Sequence, residues 1–198
     1  MNPARQTATT LDGIRRDHVA RYEFASRIAT PPVLDACCGV GYGASILADA
    51  GHKVFAVDSH GMAIRTALKH YCREGIAWVC ADIHDAPDLL GPMGTVVAFE
   101  CIEHIEDAPY LVASLVGMLA GEGTFIASVP NEESWPFDPD QFKHDDSPHL
   151  RHYTPAEFEA LLREAGLFHV KRYTQHGKRG EVEVGDNGRF LVYVGKKL

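Results

Sequence analysis

A short apolar pair, Val33-Leu34, runs directly into Asp35-Ala36-Cys37-Cys38-Gly39-Val40-Gly41-Tyr42-Gly43 and then into a helical run from Ala44 to Ala50. Strand, glycine-rich turn and helix in this order leave few folds open. Alternating glycines let the backbone reverse sharply and let a ligand approach where a Cβ would collide. The helix that follows points unpaired N–H groups at whatever lies over the turn. The stretch therefore predicts a nucleotide-like ligand. Gly39-x-Gly41-x-x-Ala44 alone also fits the dinucleotide fingerprint, so the surrounding residues must decide.

The next apolar run, Lys53-Val54-Phe55-Ala56-Val57, ends in Asp58, nineteen positions after Gly39. A carboxylate at that strand end can accept from both hydroxyls of a ribose; it can also serve only to cap a helix starting near His60. Strand-like runs at Val33 to Ala36, Val54 to Val57, Ile76 to Cys80, Thr95 to Phe99 and Thr124 to Val129 alternate with helical ones, the signature of a parallel sheet. After Asp107, Ala108, Leu111, Val112, Leu115, Val116 and Leu119 share one helix face, with Pro109 in the first turn. Thr154-Pro155-Ala156-Glu157 reads as a capping box opening a second helix that Gly166 closes. Leu167 to Tyr173 and Arg189 to Val194 read as a final antiparallel pair around a polar loop. The expected fold is α/β: a Rossmann-like, doubly wound, seven-stranded, mostly parallel sheet with an antiparallel C-terminal hairpin.

Two segments stand outside the alternation. Residues 1–30 read as an N-terminal cap, helical from about Gly13 to Ala29, over the ligand mouth. Residues 130–152, rich in Pro, Asp and aromatics (Trp135, Phe137, Phe142), follow the fifth strand at the carboxyl edge, where open α/β sheets bind ligands, and read as a substrate lid.

With 198 residues, 45% of them hydrophobic, residues 1–198 suit one domain whose core needs no disulfide. Five cysteines without a C-x-x-C pair read neither as a secreted disulfide framework nor as a zinc site, and point to a reducing cytoplasm. The polar N-terminus has no signal-peptide core, and no run is long enough to span a bilayer, so no membrane role is expected. A net charge of −8 works against sequence-independent attraction to a phosphate backbone. The basic cluster Lys171, Arg172, Lys178 and Arg179 reads as a solvated hairpin.

Four segments in order, Val33 to Gly43, Val54 to Asp58, Cys80-Ala81-Asp82-Ile83 and Phe99-Glu100-Cys101-Ile102-Glu103-His104-Ile105-Glu106-Asp107, resemble the class I S-adenosylmethionine-dependent methyltransferases over roughly Arg21 to Gly166. The resemblance implies that the glycine turn (Gly39, Gly41) holds the methionine part of the donor, Asp58 its ribose, and Asp82 with Ile83 its adenine. It extends the donor-binding set to Arg21, Tyr22, Asp35, Tyr42, Ser59, Ala81, Glu100 and Cys101. Cys37-Cys38 departs from the acidic or small residues most relatives carry there, and no Asn-Pro-Pro-Tyr-type segment, as DNA amino-methylating enzymes use, follows the fourth strand.

The string Glu100-x-x-Glu103-His104 also resembles the metal segment of ubiquinone-pathway O-methyltransferases and of small-RNA terminal 2′-O-methyltransferases. In the latter a further His precedes an aromatic-Thr pair, matched here by His149 ahead of Tyr153-Thr154. This implies a metal set of Glu100, Glu103, His104 and His149, suited to Mg²⁺. Glu103 and His104 are the expected catalytic pair; without a metal, His104 is the general base. The expected reaction is methyl transfer to a hydroxyl of a small-molecule or sugar-like acceptor, with an RNA ribose as the second substrate class. An NAD-dependent oxidoreductase shares the glycine turn and Asp58 but leaves residues 80–83 and 100–104 unexplained, and a non-catalytic cofactor-binding subunit is the third reading.

Overall fold

The computed structural model describes residues 6–143, 148–177 and 180–197. Lys178 and Arg179 of the basic cluster, residues 1–5 of the N-terminal cap and residues 144–147 of the expected lid lie outside them. The strands are β1 Val33–Ala36, β2 Val54–Asp58, β3 Ile76–Cys80, β4 Met93–Phe99, β5 Leu119–Pro130, β6 Leu167–Gln175, β7 Glu183–Val184 and β8 Phe190–Lys197. They form one sheet in the order β3-β2-β1-β4-β5-β8-β6-β7. Strands β1 to β5 are parallel; β8 inserts antiparallel between β5 and β6.

The sheet has eight strands where seven were expected. The extra one, β7, is two exposed residues against Tyr173 and Thr174, too short and too polar to show a strand period. Leu119 is also reassigned: it opens β5 opposite Met93 instead of extending the preceding helix, which ends at Gly117. Its spacing from Leu115 continues the helical stripe, so periodicity alone does not separate the two.

The central strands are covered on both faces, and the two-residue period shows how. Leu34, Ala36, Val96, Ala98, Phe125, Ala127, Leu191 and Tyr193 point to one apolar layer, completed by α5 (Ala108–Gly117) and α6 (Pro155–Glu164). Val33, Val97, Phe99, Ile126 and Val192 point to the other, completed by α1 (Arg16–Ile28), α2 (Tyr42–Asp49) and α3 (Gly61–His70). A one-turn helix, α4 (Ala86–Leu89), joins the first layer through Ala86. At the start of α6 the Thr154 hydroxyl accepts from Glu157 N–H while the Glu157 carboxylate accepts from Thr154 N–H, the predicted capping box.

The strand order reverses between β1 and β4. From β1 the chain winds outward through α2 to β2, whereas β4 leads the other way through α5 to β5, so a crevice opens between their carboxyl ends. Helix α1 lies along it and packs on α2 through Tyr22, whose ring is edge-to-face with Tyr42 and Phe99 at 5.5 and 5.0 Å. A side chain at Gly43 would overlap that ring, which explains the third glycine by helix packing, not by ligand approach.

Candidate active site

The tip of β1 is a run of left-handed backbone: φ is 58° at Cys37, 57° at Gly39 and 87° at Gly41. At Gly41 a Cβ would also come within 2.7 Å of Ala67 Cβ and meet the Trp78 ring, so the residue is constrained twice. Asp58 holds this turn from the end of β2. Its Oδ2 accepts from Gly39 N–H and its Oδ1 from His60 N–H, both at 2.8 Å, so one carboxylate ties the glycine turn to the turn ahead of α3. Ser59 follows, exposed, and Ala81 N–H bonds Asp58 O at 3.3 Å. Asp82 Oδ1 accepts from His84 N–H at 3.0 Å and faces His84 Nδ1 at 2.8 Å, fixing the turn that buries Ile83. The His84 Nε2 reaches Asp107 at 3.1 Å, tying this turn to the start of α5.

Beneath the glycine turn, buried Asp35 accepts from Tyr22 Oη at 2.9 Å. Burial pushes its pKa from 3.8 up to about 7, the Tyr22 bond opposing and the Asp58 charge adding. A carboxyl raised on folding contributes its stability fully below the unfolded value, and that contribution is lost as pH rises through the folded one. At about 1.4 kcal/mol per pH unit between the two values, ionising buried Asp35 costs on the order of 4 kcal/mol. Asp35→Asn removes this cost. Thermal melts of both proteins should show the variant gaining on wild type between about pH 4 and about pH 8; a pH-independent difference contradicts this account of Asp35.

Arg21, expected in the donor-binding set, turns inward to Glu100 and Ser128. Its side chain is 1% exposed, and Nη1 donates to Glu100 Oε1 at 2.6 Å and to Ser128 Oγ at 3.0 Å. Desolvation opposes the Arg21 charge, yet the Glu100 and Asp17 carboxylates outweigh it and raise its pKa. The guanidinium is thus largely used within the protein, with Nη2 alone lacking a hydrogen-bond partner. Tyr22 likewise is committed to Asp35, and Tyr42 Oη meets His18 Nδ1 at 3.0 Å. Cys101, expected in the donor-binding set, has its sulfur joined to Cys37 in a disulfide the cysteine count did not suggest.

Past β4, Glu103, His104 and His149 bring one ligand atom each within 4.8 Å of one another. Glu100 stands outside this group because Arg21 and Ser128 hold it. The segment after β5 delivers His149 by folding back: Tyr153 N–H bonds Pro130 O, Glu132 N–H bonds Tyr153 O, and Leu150 N–H bonds Glu103 O at 2.8 Å. Phe142 stacks on His149 with ring centres 4.1 Å apart, and Trp135 caps His152 at 4.6 Å.

The tautomers follow from the acceptors. His104 Nδ1 donates to Pro148 O, so any ligating or basic role falls to Nε2. His152 Nδ1 donates to Trp135 O at 2.7 Å, so its Nε2 accepts from His149 Nδ1 at 3.0 Å, and the His149 lone pair is also on Nε2. His152 was not singled out from sequence; its spacing from His149, three residues on, is the one signal that could have found it. Burial, then the His104 and His152 charges, lower the His149 pKa to about 3, keeping it neutral. Glu103 is fully buried with no hydrogen-bond partner on either oxygen, and burial followed by the Glu100 charge drives its pKa well above the carboxylate range. Two imidazole lone pairs beside an unpartnered buried carboxyl form a donor set that a divalent cation, or a shared proton, would satisfy.

Strand-end carboxylate, glycine turn and switch-point crevice together define a Rossmann-like α/β domain. Residues 12–171 match the family model for a methyltransferase domain. The chain belongs to the class I S-adenosylmethionine-dependent methyltransferases. It is 31% identical over 156 residues to a probable S-adenosylmethionine-dependent methyltransferase of Mycobacterium tuberculosis, covering 79% of this chain and 56% of that protein. The match to the ubiquinone biosynthesis O-methyltransferase of a Caulobacter species is narrower, 30% identical over 66% of this chain and 52% of that one. The chain thus spans about half the length of the curated relatives it matches. The fold is similar to that of the CcbJ methyltransferase from Streptomyces caelestis, with a TM-score of 0.75 at 19% identity over 92% of this chain and 96% of that one. No helix among the described residues is long and apolar enough to cross a membrane.

Proposed function

We propose that this protein transfers the methyl group of S-adenosylmethionine to a hydroxyl of a small-molecule or sugar-like acceptor, with residues 1–198 acting as one catalytic domain. The observation that carries the reading is the Glu103, His104 and His149 group, placed past the tip of β4 beside the crevice that the glycine turn and Asp58 prepare for the donor. Asp58 orients the ribose, Asp82 and Ile83 frame the adenine, and the glycine turn leaves room for the methionine part.

A divalent cation held by Glu103, His104 and His149 would supply charge that favours loss of the acceptor's proton. One carboxylate and two imidazoles suit a borderline ion such as Zn²⁺ or Fe²⁺ better than the Mg²⁺ that an additional Glu100 would favour. The chain's own residues do the rest: with the cation bound, His104 Nε2 is one of its ligands, and without it that nitrogen takes the acceptor proton; His152 keeps His149 in the required tautomer, and Trp135 and Phe142 close the segment over the site and exclude water. Fold does not dictate the acceptor, and structural relatives of 15–20% identity carry names with nitrogen acceptors as well.

The test is transfer of labelled methyl from S-adenosylmethionine into a fractionated host extract, with and without a chelator. Label in a small-molecule ether, reduced on chelation, is expected. Label in an amine overturns the hydroxyl assignment, label in RNA supports the second substrate class instead, and chelator-insensitive transfer removes the cation.

A further inference from the structure

The disulfide between Cys37 and Cys101 joins the tips of β1 and β4, the two strands between which the sheet reverses direction. It therefore lies across the mouth of the donor crevice. The Cα atoms are 5.9 Å apart, inside the range a disulfide spans without moving the backbone. The two half-cystines are 64 residues apart and belong to different turns, so the bond fixes one turn against the other.

Both turns are held in unusual backbone. Among the described residues, four non-glycine residues have positive φ, and two of them, Cys37 at 58° and Glu100 at 49°, flank this bond. Left-handed backbone favours glycine, as at Gly39 and Gly41 in the same turn, so a β-carbon at position 37 is retained against a conformational cost. The Cys37 side chain is half-buried against the apolar layer that Leu34 and Ala98 share. What the thiol adds at that position is the ability to pair with Cys101. Cys101 is 1% exposed and Cys37 half-buried, so Cys37 is the sulfur that an exchanging thiol reaches first.

We propose that Cys37 and Cys101 form a redox clasp on the donor crevice: the oxidised pair locks the tips of β1 and β4 together and restricts donor binding, and the reduced pair releases them. This rests on the reading of that crevice as the donor site. Closing the clasp converts two thiols to one disulfide with loss of two protons and two electrons. Hydrogen peroxide accepts them and yields two waters; oxidised glutathione accepts them by exchange and yields two glutathione thiols. A dithiol reverses the step. Disulfides in reducing compartments are characteristically transient and regulatory.

Calorimetric titration of the full chain with S-adenosylhomocysteine, after dithiol treatment or after oxidised glutathione, tests the clasp, with peptide mass spectrometry scoring the Cys37–Cys101 crosslink in each sample. The oxidised protein is expected to bind at least about tenfold more weakly than the reduced protein. Cys101→Ser, and Cys37→Gly as a variant matched to the left-handed backbone, should each show one affinity in both buffers. Equal or tighter binding by crosslinked protein overturns the proposal, as does absence of the crosslink after oxidation. Failure of reduced, folded protein to bind at all instead overturns the donor-site reading, while the crosslink remains scored by mass.

Discussion

Glu103→Gln is expected to lower methyl transfer by roughly 100-fold or more while leaving affinity for S-adenosylhomocysteine within about threefold. The reasoning starts from burial. A carboxyl with no exposed surface and no hydrogen-bond partner is maintained against a desolvation cost that folding alone gives no reason to accept. Gln fills the same space without a charge to bury, so the variant should melt no lower than wild type. The substitution removes either a cation ligand or the carboxyl that shares a proton with His104 and His149. It does not reach the glycine turn. Initial rates at saturating donor, set beside calorimetry and a thermal melt, separate these effects. An active variant removes the group from the mechanism, and an inactive variant that has also lost donor affinity or stability reassigns Glu103 to a structural role.

Asp58→Ala is expected to act on the other half of the site. It deletes the acceptor of two backbone N–H groups, at Gly39 and His60, together with the proposed ribose contact. Hydrogen bonds to a charged group contribute about 1.5–3 kcal/mol each, so donor affinity should fall by about 100-fold, largely through the lost ribose contact and the loosened turn. Asp58→Asn keeps one acceptor oxygen and should lose less. Calorimetry with S-adenosylhomocysteine measures both, and an Asp58→Ala protein that binds within threefold of wild type contradicts the role given to this residue.

The glycine turn and the strand ends were legible because their determinants are local. Parallel strands read as apolar runs, and Asp35, Asp58 and Asp82 lie near or just past the ends of three of them, so position along the chain fixes position at the sheet edge. β7 left no trace because two exposed residues have no period. Leu119 was misplaced because a helical stripe and a following strand can share the same apolar residue. The contacts that depend on distance in space were not legible: Arg21 turning inward to Glu100 and Ser128, and Cys37 meeting Cys101 across 64 residues. The Glu103, His104 and His149 group lies between these cases. The residue types were suggested by resemblance, whereas the loss of Glu100 to Arg21 and the orienting role of His152 follow from the packing around them.

The central claim is that the crevice between β1 and β4 receives the methyl donor. A crystal structure of the reduced protein grown with S-adenosylhomocysteine tests it most directly. The predicted result places the ribose on Asp58, the adenine beside Asp82 and Ile83, and the amino-acid end over Gly39 and Gly41. Density for the ligand at any other place, or an empty crevice at saturating ligand, would contradict it.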